Sequence, residues 1–459
     1  MKLAGKPTAV VAGSAVHPAR RLALCIVAFA LVLAGAACGS SSPSGSGTGS
    51  LKVVTGLSHK YAGQTITMLL PPWAAIPKAE LAKFTKLTGI KVNLQSLAFD
   101  DIHNKIGTAE AAGVAPADIT EVDWTWTGQF GASRWYTNLH SLLPHSLIDS
   151  SFVAPDFQYH GQQVAMPYNS DMRGSIINMK YFREAGITAP PTTWAQLLAD
   201  AKKIKARGIV QYPIAADFSD IESTTFFWYM LMRSAGGNLL TSNGQPAFTS
   251  PSSPGYQALT FLQELYKGGL VPPGAVTWDN NAADNALAGG TVAILLAESP
   301  AAVPGFQTPS QSKVAKDDIT FIPSPGSNGH ATGSFALPEG MGIPIQSKHK
   351  QAAAMFIEWW HQLPQLLYGY LNPALGDLPP AQSAISYLAS HNKLADGATI
   401  LHLLPYATPM FQGGTPPWYP ALSTDVSTMI QSVMEGHETV KAGLNSLAGQ
   451  IHVLSSSGA

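Results

Sequence analysis

The chain has 459 residues, of which 46% are hydrophobic and only 12% charged, with a formal net charge of −1. That charged share is about half of the ~25% usual for soluble proteins, and it contains no Lys/Arg run. Nucleic acid and anionic membrane surfaces are thereby excluded as partners, and an uncharged or weakly charged ligand is expected.

The first 37 residues read as an address. Lys2, Lys6, Arg20 and Arg21 precede an apolar run from Leu22 to Ala37, which ends in Gly35, Ala36 and Ala37 directly before Cys38. This is the pattern of a bacterial secretory signal with lipoprotein-type cleavage, although Gly35 stands where such sites usually carry Leu. The apolar run is shorter than the ~20 residues that a membrane-spanning helix needs. Cys25 lies inside the segment to be removed, so Cys38 is left without a partner for a disulfide or metal site. Residues 38–60 then form a lipidated Cys and a Gly/Ser tether, and anchoring is expected on the outer face of the cell membrane. Removing the four signal cations leaves 23 basic against 28 acidic residues.

About 400 residues remain, enough for two lobes rather than one core. Thr65–Leu70 is a β-rich run closed by two prolines, and residues 76–89 carry helical spacing up to Gly89. Ile90–Gln95 alternates as a strand. Asp100 and Asp101 open a helix with Ile102 and Ile106 on one face, and Ala117–Asp123 is a further strand. Such alternation predicts an α/β lobe on a largely parallel sheet. It resumes after Tyr168: Thr193 caps a helix over Trp194–Lys205, Tyr212–Ala216 is a short strand, and Ser223–Ala235 and Tyr256–Tyr266 are helices. Gly289–Ala297 reads as a buried strand, 298–340 mostly as loop with a strand at Ile319–Ile322, and helices return at 350–362 and from Asp425 to His452.

The stretch GQQVAMPYNSDMRGSIINMKYFREAGITAPPTTWAQLLADAKKIK (161–205) joins two strands, an Ala-Gly turn and a Pro/Thr-capped helix. With AKFTKLTGIKVNLQ, GVAPADITEVD, ALAGGTVAILLAESPAA, GSFALPEGMGIPIQSKHKQAAAMFIEWW and GHETVKAGLNSLAGQI, it resembles the family 1 extracellular solute-binding proteins of the maltose-binding-protein type. The resemblance runs from Thr65 to about Ile451. It departs from the family pattern at Ala117, which intervenes between Pro116 and Asp118, and at Ile294, where Met is usual. It implies a two-lobed α/β periplasmic-binding-protein fold, with a ligand cleft between lobes joined by several crossing segments. The first lobe would be 61–170 plus 341–375 and the second 171–340 plus 376–459, with crossings near Tyr168–Arg173, Gly340–Pro344 and Gly376–Pro380. It also implies a monomer that captures a mono- or oligosaccharide and hands it to the permease of an ABC importer.

Sugars are held by aromatic faces and by planar polar side chains that bond hydroxyls. Aromatic and acidic residues just past strand ends are therefore the ligand-binding candidates: Trp73, Asp123, Trp124, Trp126, Asp217, Asp220, Trp278 and Glu298. The resemblance adds Trp418, and Asp171 and Arg173 flank the first crossing. Trp124 or Trp126 on one lobe and Trp418 on the other would stack on the ligand. Trp194, Trp228, Trp359 and Trp360 lie on helix stripes and are expected in the core. Helix capping competes for Asp220, and a hinge ion pair for Asp171 and Arg173. No G-x-S-x-G, H-E-x-x-H, P-loop or C-x-x-C pattern is present. Binding without catalysis, cofactor or metal is the expectation. A binder of a non-sugar solute, polyol-like or peptide-like, and a lipid-anchored hydrolase are the rivals.

Overall fold

In a computed structural model of the protein, two sheets organise the chain; the structure describes residues 53–327, 334–372, 375–411 and 414–456. The signal segment, Cys38 and most of the tether lie outside these residues. The first sheet has the strand order Lys91–Ser96, Thr65–Leu70, Ile119–Asp123, Glu339–Gly342, Ala165–Asn169. The second runs Ile319–Ile322, Gly174–Asn178, Ile294–Glu298, Ile214–Ala215.

Neither sheet is largely parallel. In the first, only the pairings of Thr65–Leu70 with its two neighbours are parallel, while Glu339–Gly342 runs antiparallel to both of its partners. In the second, only Ile214–Ala215 against Ile294–Glu298 is parallel. The antiparallel strands adjoin the crossings, where no helix intervenes to reverse the chain. The chain leaves the first sheet at Asn169 and enters the second at Gly174. Two further segments lie beside this link. Leu337 N donates to Asp171 O (3.0 Å), Arg173 N to Phe335 O (3.3 Å) and Ser170 N to Leu378 O (2.9 Å). Glu339 and Gly340, grouped above with the second lobe, are strand residues of the first sheet.

Helices cover both sheets. Trp359, Trp360 and Phe356 of helix Lys350–Trp360 pack with Phe84 and Ile66 under the first sheet. Trp228 of helix Glu222–Ser234, with Leu422, Ile430 and Leu444, packs with Ile177 and Ile294 of the second. All four tryptophans assigned to helix stripes are buried. Thr193 forms a capping box with Gln196 at the start of helix Trp194–Ala206.

Three sequence expectations shift. The run at 289–297 forms a regular strand only from Ile294, because Gly289 caps helix Asn280–Ala288 and Gly290 turns at φ +71°. The helical signal from Asp425 to His452 is two helices, Tyr419–Glu435 and Val440–Ser456, the first ending on Gly436 in the left-handed region at φ +81°. The helix placed at Ser223 starts one residue earlier, at Glu222, without a side-chain cap. Among the described residues no helix is long and apolar enough to cross a membrane.

Candidate functional site

The site begins where strand Ile119–Asp123 ends. The Asp123 carboxylate accepts from Thr125 N (2.8 Å) and Thr125 Oγ1 (2.5 Å), which curls residues 124–126 into a single 3₁₀ turn. The turn sends its two indoles different ways. Trp126 stays with its own layer, 4.5 Å from the Phe99 ring and 5.0 Å from His103. Trp124 enters the hydrophobic cluster of the second sheet, with Tyr419 at 5.1 Å and Phe411 at 6.4 Å. Both rings are 97% buried, at 3% exposure, rather than lying open at a cleft edge. Just beyond, Gly128 presses on the other layer: a Cβ there would stand 2.0 Å from Thr415 O.

Between the layers lies a cavity of about 450 Å³. One wall carries Phe99, Asp100, His103, Trp126 and Gln129; the other carries Asp220, Glu222, Ser423, Thr424 and Ser427. His103 Nε2 and Gln129 Oε1 are 2.8 Å apart. Asp220 Oδ1 accepts from Ser427 Oγ (2.6 Å) and Thr428 Oγ1 (3.0 Å), so this acid ties the segment before helix Glu222–Ser234 to helix Tyr419–Glu435 instead of capping a helix. Glu222 Oε1 has no hydrogen-bond partner.

Beside the cavity, the crossing segments hold a buried ionic network. Arg173 NH2 lies 2.5 Å from Asp171 Oδ2, while its NH1 donates to Ala297 O (3.1 Å) and lies 3.5 Å from Glu298 Oε1. Asp171 at φ +30° and Ala297 at φ +53° both occupy the left-handed region, so backbone strain is held on either side of this guanidinium. The Arg173 side chain also lies over the Phe226 ring at 4.9 Å. A second cavity of only about 10 Å³ is lined by Arg173, Asp217, Asp284 and Glu298. Asp217 accepts from the Ser223 hydroxyl.

On the first sheet, Glu339 accepts from Trp73 Nε1 (2.7 Å) and Asn169 Nδ2 (3.2 Å). The Tyr168 hydroxyl lies 2.9 Å from Glu121 and 3.2 Å from Glu339. Trp73 is 40% exposed and stacks on Phe99 at 6.2 Å.

The sequence candidates thus fall into groups. Trp126 and Asp220 line the large cavity; Arg173, Asp217 and Glu298 line the small one, with Asp171 bonded to Arg173. Asp123 and Trp124 form the capped turn, and Trp73 bonds to Glu339. Trp278 and Trp418 line neither cavity. Trp278 is wedged between two hydrophobic clusters, with its carbonyl accepting from Ser219 Oγ. Trp418 is the half-buried cap residue of helix Tyr419–Glu435, and its neighbour Tyr419 presents the ring that meets Trp124. Sequence reasoning missed Phe99, His103, Gln129, Glu222, Asp284 and Glu339. Phe99 and His103 share a face of helix Phe99–Ala111 at i, i+4 spacing, a signal that was there to find.

Burial, before any charge effect, pushes Asp123 and Glu339 up to about 8 and Asp217 and Glu222 up to about 7. Neighbouring acids add to the rise: Glu222 and Asp171 act on Asp123, and Asp123 acts on Glu339. Burial would lower Arg173, but Asp171 and Glu298 outweigh it and hold the guanidinium charged. An acid whose folded pKa exceeds its unfolded value of ~4 favours the folded state fully below that value and loses this contribution as pH climbs through the folded one. The melting temperature should therefore fall steadily between about pH 5 and pH 8. A melting temperature that rises over that interval in differential scanning calorimetry would contradict this assignment. Asp118 is opposite in sign: burial raises it, but bonds from Thr67 and Ser347 prevail and hold it below the usual range, so further acid removes stability.

Two α/β layers, crossed three times by the chain and enclosing a cavity walled by both, define a cleft-type binding protein for a small solute. The chain belongs to the bacterial extracellular solute-binding protein family, whose model matches residues 71–360. That membership assigns it to solute capture outside the cytoplasm.

Its relatives are distant. A probable amino-acid ABC transporter periplasmic-binding protein of Sinorhizobium fredii is 25% identical over 66% of this chain and 70% of its own length. A putative binding protein of Brucella abortus is 24% identical over 60% of this chain, and only 65% of its own length is matched. The erythritol/L-threitol-binding protein of Mycolicibacterium smegmatis is 24% identical over 70% of this chain and 72% of its own length. In fold, the chain superposes on a solute-binding protein of Agrobacterium radiobacter K84 in complex with ribitol, with TM-score 0.76, 21% identity and coverage of 86% and 99% of the two chains. Maltose-bound T. maritima MalE3 gives TM-score 0.76 and 20% identity over 85% and 99%. Among the described residues, no group of His, Cys, Asp and Glu side chains is placed to hold a metal ion.

Proposed function

We propose that this protein captures a sugar or polyol in the 450 Å³ cavity and delivers it, without chemical change, to the permease of an ABC importer. The observation that carries the reading is the make-up of the cavity. An aromatic wall of Trp126 and Phe99 faces carboxylates and hydroxyls from Asp220, Glu222, Ser423 and Thr424, which is what a ring or chain with an apolar face and a hydroxyl edge requires. Relatives named for erythritol/L-threitol and solved with ribitol or maltose support it. The two walls belong to different layers, so a ligand that touches both stabilises the closed form, and that form is the signal to the permease. The protein works as a monomer, with lobes divided as the sequence resemblance implies save that Glu339 and Gly340 join the first, tethered outside the membrane through Cys38.

Titration calorimetry of the mature protein against pentitols, tetritols, hexoses and maltose tests this. Specific binding of at least one class is expected, with Trp126→Ala weakening it by about 1–3 kcal/mol, roughly tenfold to a hundredfold. Turnover of the bound compound, or unchanged affinity in Trp126→Ala, would refute it.

A further inference from the structure

The large cavity is one-sided in charge. Asp100, Asp220 and Glu222 line it, and no Lys or Arg does. Its one basic side chain, His103, is engaged with Gln129. Asp220 is satisfied by two hydroxyls; the Glu222 carboxyl has the Ser423 and Tyr419 hydroxyls beside it, but its buried Oε1 has no partner. Asp100 and Glu222 stand on opposite walls and repel each other, and Glu222 and Asp123 disfavour one another's ionisation. The buried cation of the crossing segments, Arg173, is already committed to Asp171, Glu298 and Ala297. Closing the empty cleft therefore sets carboxyl against carboxyl with nothing between them. On the wall that carries Asp100, the half-buried rings of Phe99 and His103 and the small exposed part of Trp126 line the cavity, and aromatic rings attract a cation that carboxylates hold on its other side.

We propose that the preferred solute carries a cationic nitrogen, as an amino sugar or amino polyol does, with its ammonium held between Glu222 and Asp100 against the Trp126 ring. This rests on the carbohydrate reading above and narrows it. It also departs from the uncharged ligand that the chain's low charge content suggests, because composition averages over a surface whereas the cavity concentrates three acids.

The test compares glucosamine, glucose, N-acetylglucosamine, glucamine, sorbitol and cyclohexylamine by calorimetry at low and high salt, in the wild type and in Glu222→Gln and Asp100→Asn. Asp100 is exposed, so its variant keeps the fold, and thermal melts check both. At least one hydroxylated amine should bind about tenfold more tightly than its neutral counterpart, the gain expected of one charge-assisted contact. Added salt should reduce that preference. It should vanish in Glu222→Gln and shrink in Asp100→Asn. Neutral counterparts that bind as well as the amines, or a preference that survives both substitutions, would overturn the proposal while leaving sugar binding intact. Failure of every amine to bind overturns it too. Binding of cyclohexylamine without any sugar or polyol would instead remove the carbohydrate reading and keep the cation site.

Discussion

Replacing Arg173 by methionine should destabilise the protein by about 3–5 kcal/mol, the typical result of deleting one member of a buried ion pair. The side chain is about 90% buried, and its guanidinium engages Asp171, Glu298 and the Ala297 carbonyl at once. Methionine fills much of the volume and leaves the acids with no counter-charge, so the loss is electrostatic rather than a cavity effect. Lowering the pH should restore part of the stability as Glu298, already raised by burial, takes up a proton. Thermal melts of wild type and variant at pH 5 and pH 8 check both statements. A variant that melts within a degree of wild type at pH 8 would show that the network contributes nothing net.

Gly128→Ala should leave the fold intact and still weaken ligand binding by about tenfold to a hundredfold. The added Cβ would meet Thr415 O at 2.0 Å and Pro416 C at 2.6 Å, both backbone atoms that cannot rotate aside. These atoms belong to the segment leading into helix Tyr419–Glu435, which packs with the second sheet, whereas Gly128 sits in helix Thr127–Ala132 beside the first. Relief comes from parting the layers, at the ~1–3 kcal/mol that overpacking usually costs. A ligand must spend that amount to close them. Small-angle scattering should find the liganded variant less compact than liganded wild type. Unchanged affinity would mean that the two layers give way locally at Thr415.

Much of the architecture was readable because it depends on local pattern. Thr193 with Gln196, the Gly89 stop and the alternation read at 90–95, a strand at Lys91–Ser96, are satisfied within a few residues of themselves. The mixed pairing of the sheets, expected to be largely parallel, was not readable. The antiparallel strand at Glu339–Gly342 is Gly-rich and gains its place only from partners about 170 and 220 residues away. For the site, searching strand ends found Asp123, Trp126 and Asp220, because backbone direction alone brings those positions to one edge. It could not weigh Trp418 against Tyr419, since one residue of helical phase decides which ring faces Trp124. Glu222 and Glu339 escaped for another reason: their importance lies in the acids that face them, and those come from distant segments.

Strand Glu339–Gly342 lies between Ile119–Asp123 and Ala165–Asn169, yet it follows both of them, and every strand of the second sheet, in the chain. Until residues 339–342 are in place, Ala165–Asn169 has no partner in its sheet, and Ile119–Asp123 keeps an open edge. Roughly three quarters of the chain must therefore exist before the first lobe can complete its hydrogen-bond ladder. Closure of the first sheet is thus a long-range event, and until it happens the edge of Ile119–Asp123 is open to pairing with other chains.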